Sequence, residues 1–237
     1  MTGLQNTHIS VQGTIKFNPN IPYWSGNGFF IPFQTQITFW LLGGNNLVLD
    51  GGGTLDGQGQ AWYDAFAKNS SLARPITLTL YQAKNVTVEN LHMINSPEWV
   101  NLVNEGEQIV YRNLNISAVS TSENGAANTD GWDIYRSNNV IIENSMINNG
   151  DDCVSFKPKY SCFSLQFLFP LTISTTHRNI KMSNAQNGAR IKAWAGQGVG
   201  SGIVKNITFL NFSETNVDNP VIIDQVSQLQ EYKPFSN

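Results

Sequence analysis

Three carboxylates in this chain stand where acid–base chemistry on a sugar bond would use them. Asp130 lies in Asn128-Thr129-Asp130-Gly131, and Asp151 with Asp152 follows 21 residues later in Gly150-Asp151-Asp152-Cys153. Hydrolysis of a glycosidic bond needs one carboxylic acid to protonate the leaving oxygen and another carboxylate to activate water. Further along stands a basic Arg190-Ile191-Lys192. Strand alternation puts Arg190 and Lys192 on one face and Ile191 on the other. Arg offers a two-pronged grip on a carboxylate and Lys a mobile point charge, so together they suit a sugar that is itself acidic. Each piece has a plainer reading alone. An isolated Asp-Asp is more often a turn or a calcium site, and an Arg-x-Lys is as often a solvated edge. The third Asp and the downstream basic pair turn the balance toward a hydrolase of an acidic polysaccharide.

The elements that must position these groups are short and repeated. Asn46–Gly51, Asn85–Asn90, Gln108–Asn113, Asn139–Asn144, Asn179–Asn184 and Asn206–Asn211 share alternating apolar or β-branched residues, and five of the six close on Asn. Period-two alternation over five or six residues is a strand signal. Asn tolerates the turn that follows and can stack on its counterpart as an amide ladder. The closing asparagines fall at 90, 113, 144, 184 and 211. Intervals in the twenties are too short for strand–helix–strand units and fit one turn of a parallel β-helix. A meandering β-sandwich is the rival, disfavoured because the units recur without paired hairpin turns. Frequent Gly and Asn exclude a helical repeat. The interval of 40 between Asn144 and Asn184 is expected to span two coils, and its middle, about 159–178, lacks the strand–Asn pattern. Successive coils stack about 4.8 Å apart. Asp130 is therefore expected beside Asp151 and Asp152, with at least one of the three carrying a raised pKa.

Composition bounds the alternatives. The chain has 237 residues, only 13% of them charged, and a net charge of −3 without a basic run, which gives no reason to expect nucleic acid as a partner. No stretch is apolar and long enough to span a bilayer; the most apolar piece, Phe163 to Ile173, is too short. Met1-Thr2-Gly3-Leu4 opens without the basic and apolar regions of a signal peptide. Five Asn-x-Ser/Thr sequons, at Asn69, Asn85, Asn115, Asn206 and Asn211, are about what so Asn-rich a chain yields by chance. Cys153 and Cys162 could pair or be two buried thiols. No cofactor or metal motif is visible, and the whole chain, 1–237, reads as a single domain.

Three motifs together, Asn128-Thr-Asp-Gly-Trp-Asp-Ile134, Gly150-Asp-Asp-Cys-Val-Ser-Phe156 and Gly188-Ala-Arg-Ile-Lys192, resemble glycoside hydrolase family 28, the polygalacturonases. The resemblance runs from about Ser10 to Asp224. It implies an all-β, right-handed parallel β-helix, acting as a monomer on pectin or polygalacturonic acid, outside the cell, by hydrolysis with inversion. It makes Asp151 the general acid, Asp130 and Asp152 the holders of the attacking water, and Arg190, Lys192 and Asn128 the substrate-binding residues. Pro22-Tyr-Trp24 and Ser96-Pro-Glu-Trp99 look most like the fungal exo-acting members. Rhamnogalacturonan or xylogalacturonan hydrolysis is the alternative within the family. The family's Gly-His-Gly motif, one coil after Asp-Asp and before Arg-Ile-Lys, is missing. Here His177 stands in Thr-Thr-His-Arg and reads as incidental. The family's cysteine after Asp-Asp normally pairs with one just before Gly-His-Gly, whereas Cys153 has only Cys162. The chain also stops sooner than the family does. These departures raise the expectation of a truncated or mis-spliced reading, intron-like over Lys159 to about Thr176, and of a rival class, a catalytically dead pectin-binding β-helix.

Overall fold

The computed structural model describes residues 1–157, 172–192 and 204–224. They wind into the expected right-handed parallel β-helix. One face stacks β4 (Gln36–Leu42), β7 (Pro75–Tyr81), β10 (Asn101–Asn104), β13 (Trp132–Tyr135), β15 (Asp152–Lys157) and the ends of β16 (Thr172–Lys192) and β17 (Val204–Asp224). A second stacks β1 (Leu4–Ser10), β5 (Gly44–Asp50), β8 (Lys84–Glu89), β11 (Glu107–Arg112) and the starts of β14 (Asn138–Asn148), β16 and β17. The third stacks β2 (Thr14–Lys16), β6 (Thr54–Asp56), β9 (His92–Ile94), β12 (Asn115–Ser117), the end of β14 and the middles of β16 and β17.

Alternation sends every second side chain inward, and parallel register stacks like on like. Leu47, Val86, Ile109 and Val140 make one interior column, and Leu49, Val88, Tyr111 and Ile142 the next, all essentially without solvent contact. Burying each such side chain contributes about 1.5–3 kcal/mol, so a strand slipped by one residue would forfeit a whole column. Corners are turned by asparagines in the left-handed region, among them Asn46, Asn85, Asn90, Asn113, Asn144, Asn179, Asn184, Asn211 and Asn216, with φ between 51° and 60°. Their amides do form ladders: Asn85 on Asn46 on Asn6, and Asn211 on Asn179 on Asn144, with donor–acceptor distances of 2.7–3.1 Å. A second run, Asn216 on Asn184 on Asn148, lies one corner on.

That second run corrects the expectation of two coils between Asn144 and Asn184. Asn144 stacks on Asn179, and β14 pairs directly with β16, so a single coil separates them. The unit facing Asn139–Asn144 is Ser174–Asn179, with Thr175 opposite Val140 and His177 opposite Ile142. Polar residues at inward positions hid the repeat. Of the stretch 159–178, the part from Thr172 on is regular strand, and the rest, with Cys162, lies outside the described residues.

The segment between β2 and β4 packs on the outside of the first face. After α1 (Ile21–Asn27), β3 (Phe29–Ile31) pairs antiparallel with β4. Ile31 and Phe33 then pack with Ile76, Trp99, Leu102 and Tyr135 into an outer apolar cluster. Phe33 stacks on Tyr135 with ring centroids 3.7 Å apart. Among the described residues no helix is long and apolar enough to cross a membrane.

Candidate active site

The first face carries the predicted acids. Asp130 precedes β13, Asp151 ends the turn before β15, and Asp152 opens that strand. Parallel pairing of β13 with β15 brings the three together, with one oxygen of each within 4.8 Å of the others. The loop can approach so closely because Gly131 has no side chain: a Cβ there would overlap Ile147 and lie 2.6 Å from the Cys153 carbonyl oxygen. Asp130 and Asp152 are buried, whereas Asp151 is partly open. Asp151 lines a polar groove of about 370 Å³ with Ala127, Gly150, Asn184, Gln186 and Asp218.

Each acid is held differently. Asp151 Oδ2 accepts the Asn128 backbone N–H at 3.1 Å. Asp152 accepts the Asn187 amide at 2.6 Å and the Arg190 guanidinium at 3.3 Å. Asp130 meets Lys157 Nζ at 3.3 Å, and the same ammonium lies 2.9 Å from Asp133. Burial, then the charges of Asp133 and Asp151, push the Asp130 carboxyl well above the usual carboxylate range, against the pull of Lys157. The raised pKa expected in the cluster is therefore at Asp130. Burial also pushes Asp133 up to about 6. Asp130 and Asp133, joined through Lys157, share their protons and titrate as a pair.

The remaining predicted residues are brought to the same site with partners of their own. Arg190 lies opposite Ser155 and bridges Asp152 to Asp224, 3.0 Å away. Lys192 follows two residues later on the same strand, close enough to Lys157 and Arg190 that burial and those two charges lower its pKa. Asn128 has its side-chain oxygen occupied by Arg74 Nη2 at 2.7 Å. His177 is incidental to the site: it is buried inside the coil, 5.2 Å from the Phe156 ring, and burial lowers its pKa to about 3.

Four site residues escaped sequence reasoning. Asp133 and Lys157 were legible in principle, since they share the outward parity of Arg190 and Lys192 along β13 and β15. Asn187 stands at the position of the Arg-Ile-Lys strand that pairs with Asp152. Arg74 gave no local signal. Its buried guanidinium donates to the Pro97 and Ala127 carbonyls at 2.8 and 2.6 Å and rests 3.7 Å over the Phe66 ring.

The spacing of the motifs departs from the family pattern in one respect. β15 pairs directly with the end of β16, so the Arg-Ile-Lys coil stacks immediately on the Asp-Asp coil. An exopolygalacturonase of Cochliobolus carbonum is 43% identical over 95% of this chain and 57% of its own length. Exopolygalacturonase X of Aspergillus niger is 39% identical over 95% of this chain and 58% of its own length. Both alignments run over 254 positions, more than the 237 residues of this chain, so these relatives carry residues inside the matched stretch that this chain lacks. The chain thus spans less than three-fifths of the curated relatives it matches. Among solved structures, the endo-xylogalacturonan hydrolase of Aspergillus tubingensis superposes with a TM-score of 0.70 at 29% identity, over 95% of this chain and 64% of that one. The polygalacturonase of Erwinia carotovora superposes with a TM-score of 0.68 at 26% identity, over 91% of this chain and 65% of that one. The sequence profile of glycosyl hydrolases family 28 matches residues 2–168 and 172–234, and the chain belongs to that family.

Proposed function

We propose that this chain carries the catalytic site of a secreted hydrolase that removes single galacturonate units from the end of polygalacturonan, the α-1,4 backbone of pectin. The carrying observation is the cluster of three carboxylates, of which only Asp151 opens to the groove. An acid must touch the glycosidic oxygen, so Asp151 gives its proton to the leaving group. Buried Asp130 and Asp152 can act only through water: they hold one molecule, take its proton as its oxygen bonds to the anomeric carbon, and leave Asp151 as a carboxylate. Arg190 and Lys192 meet the sugar carboxylate, and Asn128 serves the substrate by orienting Asp151.

Exo action is supported by the relatives named exopolygalacturonase and by the outer cluster of Ile31, Phe33, Trp99 and Tyr135, which fills the first face on the N-terminal side of the acids. Inversion rests on the family resemblance. One oxygen of each acid lies within 4.8 Å of the others, tighter than the roughly 6.5–9.5 Å usual for inverting pairs, so inversion here requires the water held by Asp130 and Asp152 to reach the anomeric carbon from the face opposite the bond that Asp151 protonates. The decisive test is the product of polygalacturonic acid digestion by the purified chain, with Asp151→Asn as control. Galacturonate monomer whose first anomer is inverted by proton NMR supports the proposal, and a retained anomer refutes the inversion. Oligomers make the enzyme endo-acting, and release from xylogalacturonan instead moves it to that specificity. Pectin binding by a folded chain without any product leaves a non-catalytic binder.

A further inference from the structure

Lys157 ends β15 with its side chain 4% exposed, its ammonium 2.9 Å from Asp133 and 3.3 Å from Asp130, and 4.6 Å from the centre of the Trp99 ring. It has no path to a sugar carboxylate, so the substrate-gripping role of the outer cations is closed to it. Burying a lysine is costly unless its charge does something for its neighbours. Its neighbours are the point. Asp130 faces Asp133 from β13, and Asp151, Asp152 and the Cys153 thiol from the next coil. Farther out Arg74 approaches from the start of β7, Lys192 from β16, Glu98 from the turn before β10, and Arg190 from its pair with Asp152. Burial and the adjacent carboxylates all favour a protonated Asp130, and a protonated acid cannot take a proton from water. Lys157 is the contacting cation that opposes them.

We propose that Lys157 is a positioning residue for this reaction: its ammonium, buried between Asp130 and Asp133, favours the anion of Asp130, the form able to accept the proton of the attacking water. The idea rests on Asp130 acting as the base of the proposed hydrolase, so its first readout is independent of turnover. The carboxyl carbon of Asp130 is titrated by NMR in the parent, Lys157→Met, Lys157→Arg and Asp133→Asn. Removing the cation should move the Asp130 titration up by a pH unit or more, and removing Asp133 should move it down. Arginine should leave it near the parent. The acidic limb of kcat/KM should follow in the same directions, with about tenfold lost per unit below the limb in Lys157→Met. An Asp130 titration unmoved in Lys157→Met overturns the proposal. So does a loss of rate that is uniform across pH. If Lys157→Met does not fold, Lys157→Gln decides in the same titration, since an Asp130 titration left in place by it also overturns the proposal. A parent that releases no galacturonate fails the hydrolase reading instead, while the titration still decides whether Lys157 controls Asp130.

Discussion

Replacing Arg74 should damage stability and turnover together, because one buried guanidinium ties three successive coils to the acid. Its donors reach Pro97 O at 2.8 Å, Ala127 O at 2.6 Å and Asn128 Oδ1 at 2.7 Å. Asn128 in turn holds Asp151 through its backbone N–H at 3.1 Å. Arg74→Met strands three acceptors. The buried Pro97 carbonyl left unpaired costs about 1–3 kcal/mol, the part-buried acceptors at Ala127 and Asn128 cost less because water can reach them, and losing the stack on Phe66 costs about 0.5–2 kcal/mol more. Local relaxation returns part of this, so a net loss of about 2–4 kcal/mol is expected. Denaturant titration measures it. Turnover should fall about 100-fold, the penalty for roughly an ångström of misplacement in an acid that must meet one oxygen. Asn128→Ala should reproduce most of the loss in kcat with a smaller loss of stability. The double variant should be little worse in kcat than either single one, since both act through one chain of contacts. An Arg74→Met protein that loses stability but keeps its kcat would refute the coupling to Asp151. One that keeps its stability would refute the contact analysis itself.

Three other outcomes are expected. Burial raises Glu98 from 4.5 to about 7, so its stabilising effect is present below pH 4.5 and fades as pH climbs through 7; Glu98→Gln should flatten melting temperature against pH across that window, with a gain of about 1–2 kcal/mol at pH 8 after allowance for its partial exposure. His177, lowered by burial from 6.5 to about 3, acts oppositely, with full stability above pH 6.5 and a progressive loss below; His177→Leu should gain about 2 kcal/mol at pH 5 with unchanged kcat, and destabilisation at pH 5 would contradict this. Phe33→Ala should shift digestion products from monomer toward oligomers by opening the outer cluster, read by anion-exchange chromatography, and an unchanged monomer product would remove that cluster as the closed end.

How much of this was legible in the sequence follows from what alternation can encode. The coil, its Asn corners and the meeting of Asp130 with Asp151 and Asp152 follow from local period-two patterns plus one stacking distance, and they were read correctly. The reading failed at Ser174–Asn179, where Thr175 and His177 occupy inward positions that Val140 and Ile142 fill one coil earlier. A polarity pattern cannot register a strand whose core-facing residues are polar, so the next Asn was taken as the corner and the coil count went wrong. Lys157 and Asp133 were overlooked because a buried ion pair looks, in sequence, like surface charge. Arg74 could not have been found at all: it stands 54 residues from Asn128, and nothing between them points to their meeting.

Coil order also decides what the two outer cations can do. The family pattern sets a Gly-His-Gly coil between Asp-Asp and Arg-Ile-Lys, which would hold Arg190 two strand spacings from the acids. Direct pairing of β15 with β16 leaves one spacing, about 4.8 Å, and the guanidinium closes on Asp152 at 3.3 Å while its other arm takes Asp224 at 3.0 Å. A uronate reaching Arg190 competes with these two carboxylates for the same charge, so part of the attraction it gains is offset. Lys192 stands differently. Burial, and after it the charges of Lys157 and Arg190, lower its pKa despite Asp130 and Asp152 nearby, and a counter-charge at the ammonium would oppose that shift. An incoming uronate supplies that charge without breaking an ion pair seen among the described residues. In the proposed reaction, therefore, Lys192 gains most from the sugar carboxylate, and Arg190 serves first to hold Asp152.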